Sequence, residues 1–167
     1  TLSALIIIAH VKDGAEMARE YALPRSIIDV IEQHHGKGLV SFFHHRAQTQ
    51  APEAATVSEA AFRYPGPVPQ CREAALVMLA DSVEAASRAM ERPTPSHIQK
   101  RVRAIIMDRL LDRQLDASGL TLTDLTRVEE AFVRILTSMF HSRIKYPDEA
   151  TTDRKRSAER RDQRPTG

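Results

Sequence analysis

Apolar residues in the second half of this chain recur at helical spacing, and that repeat limits the possible fold more than any other feature. Ile98, Val102, Ile105, Ile106 and Leu110 form one stripe, and Leu125, Val128, Phe132, Ile135, Leu136, Met139 and Phe140 form a second. Each stripe puts large apolar groups on one face of a helix, and that face needs a neighbour to keep it from water. Thr94-Pro95 predicts the cap and first turn of a helix running to about Leu115, Asp116–Gly119 a turn, and Thr121 or Thr123 the cap of the last helix. A long helix from about Gln70 to Met90 is stopped by Arg92-Pro93-Thr94-Pro95. With 42% hydrophobic residues, few aromatics and no Trp, the composition suits packed helices. The expected fold is all-α, in one domain of ordinary size.

The first half is more broken. Residues 2–10 read as a buried helix and Lys12-Asp13-Gly14 as a loop or helix break, after which Ala15–Tyr21 resume the helical pattern. The chain opens on Thr1 directly into this apolar segment, which reads as a cut end. Pro24 fits the first turn of a helix over Arg25–His35 with an apolar face of Ile27, Ile28, Val30 and Ile31, and Gly36 ends it. Leu39–Gln48 predicts a short helix, and Thr49–Ala61 a mobile loop. Three prolines and a glycine in Tyr64-Pro65-Gly66-Pro67-Val68-Pro69 exclude regular helix there. From about Asp148 the chain is highly charged and nearly free of large apolar groups, so 148–167 is expected as a disordered tail behind a domain of 1–147.

Several function classes are disfavoured at this level. The formal charge is only +2 and much of the basic character lies in the tail, so the folded part is not a basic nucleic-acid surface. Cys71 stands alone, which removes a disulfide framework, suits a reducing intracellular setting and reads as an ordinary thiol near a helix start. The longest apolar run, Leu5–Ala9, falls far short of the roughly 20 residues that cross a bilayer.

Three features carry possible chemistry: His10 at the end of an apolar stretch, His34-His35 before a glycine, and Asp81 inside Leu76-Val77-Met78-Leu79-Ala80-Asp81-Ser82-Val83-Glu84. Each has a structural alternative, since a lone histidine is often a satisfied core residue and a histidine pair at a helix C-terminus interacts well with the last carbonyls. Asp81 is flanked by apolar helix formers, and an isolated buried carboxylate is costly unless charge or hydrogen bonds compensate it. A divalent ion such as Mn, Fe or Zn provides that compensation and takes imidazole and carboxylate together. His34 and His35 sit where the helix ends, so their rings escape the divergence of about 100° between neighbours in a regular helix. His44, His45, His97 and His141 match no metal spacing.

The runs His10-Val11-Lys12-Asp13-Gly14, Ile28–Gly36, Tyr64-Pro65-Gly66-Pro67, Met78–Ala86 and Phe140-His141-Ser142-Arg143-Ile144 resemble the seven-transmembrane HD phosphodiesterases of cyclic di-AMP, over about residues 1–147. The resemblance implies an HD-domain helical bundle, truncated at its N-terminus, that uses two divalent ions, manganese or iron, to hydrolyse cyclic di-AMP to linear pApA. It assigns His10, His34 and His35 to one ion and Asp81 to the other. The family's His-Asp dyad has no counterpart, because no histidine in this sequence is followed directly by aspartate. The chain by itself is therefore expected to hold at most one ion well and to turn over poorly or not at all. Lys12, Tyr64, Glu84 and Arg88 are candidate substrate contacts. The resemblance also implies a cytoplasmic domain tethered to the inner face of the membrane by upstream transmembrane and sensor regions. A non-catalytic nucleotide-binding or regulatory module is the alternative. Contact of the basic tail with anionic lipid or RNA is a third reading, weakened by the interleaved Glu159 and Asp162. No nucleic-acid partner is expected, and nothing specifies an oligomeric state.

Overall fold

A computed structural model describes residues 2–52 and 56–142. Among these lie six α-helices and one 3-10 turn: α1 (Leu2–Glu20), α2 (Arg25–Gln33), α3 (Ser41–Gln50), the 3-10 turn (Glu59–Phe62), α4 (Arg72–Arg88), α5 (Pro95–Leu111) and α6 (Leu122–Ser142). The described residues form no strand beyond an isolated antiparallel bridge between Leu39 and Arg63. The all-α expectation holds. The tail expected at 148–167 lies outside the described residues.

The main core is built where α4, α5 and α6 meet. Ala75, Met78, Leu79 and Val83 come from α4, Ile98, Val102 and Ile106 from α5, Leu115 from the turn after it, and Leu125 and Leu136 from α6. Full burial of each Val, Leu, Ile or Met side chain among these contributes roughly 1.5–3 kcal/mol. Val128, Phe132 and Phe140 pack against the cluster, while Ile135 and Met139 stay 54% and 46% exposed. The α6 stripe is thus wider than the face that α4 and α5 cover.

Caps follow the local chemistry. Thr94 Oγ1 accepts from the His97 amide at 3.3 Å with Pro95 in the first turn of α5. Thr121, not Thr123, caps α6: its hydroxyl accepts from the Asp124 amide at 3.1 Å, and the Asp124 carboxylate accepts from the Thr121 amide at 3.0 Å. α5 stops at Leu111, short of the expected Leu115, because Arg113 has a φ of 59° that no right-handed helix accommodates.

The N-terminal half differs more from expectation. α1 runs unbroken through Lys12-Asp13-Gly14. Gly14 marks a close approach instead of a break: a Cβ there would stand 3.3 Å from Ile31 Cγ2 on α2. The entropic cost of a mid-helix glycine is offset by the tight α1–α2 contact, around which Ala15, Ala18, Ile28 and Ile31 form a second small core. The helix over residues 2–10 is not the buried one expected, since Leu2, Leu5 and Ile6 are exposed and only Ala4 in that stretch is buried. α1 contacts α2 and the 3-10 turn, which leaves the face carrying those side chains uncovered by any described element. α2 ends at Gln33, two residues early, and of its predicted apolar face Ile28 is buried, Val30 and Ile31 are partly buried and Ile27 is exposed. The expected Thr49–Ala61 loop is partly ordered: Thr49 and Gln50 belong to α3, and Glu59–Ala61 to the 3-10 turn that buries Phe62. Arg72–Arg88 shortens the predicted α4 by two residues at each end.

Candidate metal centre

The close approach at Gly14 and Ile31 decides where two histidines meet. His10 stands one turn before Gly14 on α1, and His34 three residues after Ile31 at the end of α2. Each ring is oriented by its own helix: His10 Nδ1 lies against the Ile7 carbonyl, and His34 Nδ1 lies 2.7 Å from the Ile31 carbonyl. A carbonyl only accepts, so each Nδ1 carries a proton, and in the neutral form of each ring Nε2 presents the lone pair. Those two Nε2 atoms face each other at 3.4 Å. Two lone pairs so placed repel unless a cation or a proton lies between them.

The third histidine arrives through the helix end. His34 keeps helical dihedrals, and Gly36 then turns the chain with a φ of 51°. This brings the His35 ring to 4.0 Å from His34 and 4.9 Å from His10, between centroids. One nitrogen from each of the three rings falls within 4.8 Å of the others. Burial, and then His34, His10 and Arg109, hold His35 far below the usual histidine range, at about 3. It is therefore unprotonated at neutral pH and able to serve as a ligand. Three imidazoles, two with Nδ1 fixed by a backbone carbonyl, make a donor set that fits a divalent transition ion.

Asp81 projects from α4 beside this group but outside it, with Oδ2 at 3.6 Å from His35 Nδ1. Its side chain is 43% exposed, so the premise of a buried carboxylate is corrected: solvent carries part of the compensation that was assigned to a metal. Tyr64 stacks on His35, with centroids 4.3 Å apart and planes 21° apart. Burial and the neighbouring Asp81 push its hydroxyl up to about 12, so it remains a neutral hydrogen-bonding group. Lys12, Glu84 and Arg88 do not join the cluster. Lys12 is two residues, about 200°, around α1 from His10 and pairs with Glu16 at 3.7 Å in solvent. Glu84 and Arg88 pair with each other at 2.8 Å, both exposed.

Sequence reading missed the groups that hold the site together. Gln114, 2% exposed, accepts from the Lys37 amide at 2.8 Å and donates to Asp112, and buried Gln33 accepts from the Gln70 amide at 2.8 Å. These amides tie the His34–Lys37 turn to the chain before α4 and after α5. Arg63 donates to both Asp112 oxygens at 3.0 and 2.9 Å and to the Lys37 carbonyl at 2.8 Å, which pins the segment that carries Tyr64. Its guanidinium is held charged, its pKa raised chiefly by the Asp112 hydrogen bonds. Arg63→Ala is expected to lower stability by about 1–2 kcal/mol in urea unfolding and to loosen Tyr64 from His35. Arg109 reaches the turn from α5 and donates to Ser82 Oγ at 3.3 and 3.2 Å. Partners from 26 to 77 residues away leave no local pattern by which these roles could be read.

Residues 2–86, which include the three histidines and Asp81, match the HD domain family model. The chain belongs to the HD-domain family. It is 46% identical over 147 residues to the cyclic-di-AMP phosphodiesterase PgpH of Bacillus subtilis, a match covering 88% of this chain and 20% of that protein. Identity to the Listeria monocytogenes PgpH is 40% over 144 residues, covering 86% and 20%. The HD domain of the Listeria protein, solved in complex with cyclic-di-AMP, superposes with a TM-score of 0.78 at 38% identity, covering 83% of this chain and 63% of that one. The chain thus spans about a fifth of the length of these curated relatives. Membership of the HD family brings divalent metal binding with it, and His10, His34 and His35 are the described residues grouped to supply it.

Proposed function

We propose that this HD domain is a metal-dependent phosphodiesterase that opens cyclic di-AMP to pApA, as the cytoplasmic part of a protein tethered to the membrane by upstream transmembrane and sensor regions. The observation that carries the reading is the pair of Nε2 atoms facing each other at 3.4 Å with His35 beside them, an arrangement that a cation between the rings makes favourable. None of the described helices is long and apolar enough to cross a membrane, so any tether belongs to other parts of the protein.

His10, His34 and His35 hold one ion, manganese or iron. Asp81 stands open for a second, which takes its remaining ligands from outside the described residues. A bound divalent ion supplies Lewis acidity at a phosphodiester oxygen and water acidic enough to attack phosphorus. The backbone carbonyls of Ile7 and Ile31 keep two imidazoles aimed inward, and Tyr64 and Asp81 flank the third. Hydrolysis adds one water across a single P–O bond of the ring, leaving a 5′-phosphate on one end and a 3′-hydroxyl on the other. Lys12, Glu84 and Arg88 lie outside the three-histidine group, so Tyr64 is the strongest substrate contact among the four candidates.

The 167-residue chain is expected to bind one equivalent of Mn²⁺ by equilibrium dialysis and to hydrolyse cyclic di-AMP slowly or not at all. Two tightly bound ions with robust hydrolysis overturn the one-ion account, and no bound ion overturns the metal centre. Binding of cyclic di-AMP without turnover, even when the missing ligands are restored by a longer chain, favours a regulatory module instead.

A further inference from the structure

Arg109 is a cation without a carboxylate partner at the edge of the three-histidine group. Its hydrogen bonds go to the neutral Ser82 hydroxyl, and no described carboxylate comes within ion-pairing distance. The other inward-facing arginine, Arg63, is by contrast fully engaged by Asp112 and Glu59. Arg109 is partly buried, and its guanidinium lies against the turn that carries His35, where a Cβ on Gly38 would stand 3.6 Å from Nη1. Ser82, its tether, directly follows Asp81 on α4.

The charge balance of this corner is lopsided. Three neutral imidazoles bring no negative charge to an ion, and the one carboxylate beside them, Asp81, offsets no more than Arg109 itself. Among the described residues, both charges of a divalent ion are then left without a counterpart. A partly buried guanidinium near such an ion raises the site's energy unless an anion joins both, and a fork of N–H donors matches two oxygens of a tetrahedral phosphate.

Resting on the metal-centre reading given under Proposed function, we propose that Arg109 is a substrate-binding residue whose guanidinium takes a phosphate oxygen of the nucleotide seated at the three-histidine centre. Ser82 holds the fork in place, and the small Gly38 leaves it room beside the His35 turn.

Inorganic phosphate is the probe that isolates this role, since it needs neither turnover nor base recognition. With Mn²⁺ bound, Arg109→Gln is expected to weaken phosphate binding about tenfold, read from broadening of the phosphate ³¹P resonance, while Mn²⁺ affinity stays within about twofold. Phosphate affinity unchanged in Arg109→Gln overturns the proposal, and so does a parallel loss of Mn²⁺ affinity, which marks a structural role. If that variant does not fold, phenylglyoxal modification of the native protein decides. Phosphate should protect Arg109 and leave exposed Arg88 reactive, and an unprotected Arg109 defeats the assignment. Cyclic di-AMP titrated into the Mn²⁺-loaded native protein tests the substrate reading separately: failure to bind there overturns the nucleotide, while the phosphate result still judges Arg109.

Discussion

His34→Ala is expected to abolish stoichiometric binding of a divalent ion, with a loss of affinity greater than about a hundredfold in equilibrium dialysis. Removal of an outer-shell partner of a metal ligand already costs about 10–100-fold, and a deleted ligand exceeds that. The size of the effect follows from the geometry. His34 Nε2 faces His10 Nε2 at 3.4 Å, so removing its ring leaves His10 and His35 with no nitrogen between them to close the triad. His97→Ala is the matched control, because His97 lies in the first turn of α5 and belongs to no metal-holding group among the described residues. Equal Mn²⁺ affinity in His34→Ala and the native protein would mean that the three rings are only a packing cluster.

Gly36→Ala should be the most damaging single methyl group in the fold. The residue sits at a φ of 51°, which an L side chain occupies at a cost of about 1–2 kcal/mol. Its Cβ would also fall 2.6 Å from Gln114 Oε1 and 2.7 Å from Met78 Cε, in a core where overpacking costs about 1–3 kcal/mol. A loss of about 2–4 kcal/mol in urea unfolding is expected, together with weaker Mn²⁺ binding, since Gln114 would be driven off the Lys37 amide that anchors the histidine turn. Gly14→Ala provides the contrast. It keeps helical dihedrals and meets only the Ile31 Cγ2 methyl at 3.3 Å, which must give by a few tenths of an ångström, so a change within about 1 kcal/mol is expected. If the two substitutions destabilise alike, the positive φ and buried contacts at Gly36 do not have the importance given to them.

Much of the fold was legible where local rules act alone. The apolar periods, Thr94-Pro95 and the proline run at 65–69 predicted α5, α6 and the non-helical segment because propensity and capping are short-range effects. Gly14 misled for the opposite reason. As a local signal it marks a break, while its actual role depends on Ile31 of another helix. The exposed face of Leu2, Leu5 and Ile6 was misread for a similar reason: apolar composition does not say whether anything covers a helix.

The candidate site divides along the same line. Residue type and spacing alone singled out His10, His34, His35 and Asp81, because imidazoles at a helix end and a carboxylate in an apolar run are chemically conspicuous anywhere. The sequence could not orient them. Lone pairs converge because backbone carbonyls three residues back take the Nδ1 protons, and Asp81 is half-exposed beside His35 instead of buried. Nor could it find Arg109, Gln114 or Arg63, whose roles exist only once α5 and the turn after it lie against the His34–Lys37 turn. What the chain determined by itself was the list of helices and the ligands available to an ion. Tertiary packing decided which of those ligands face one another and which cation stands unpaired beside them, because convergence at a point depends on helices crossing, and crossing is set by contacts between residues far apart in the chain.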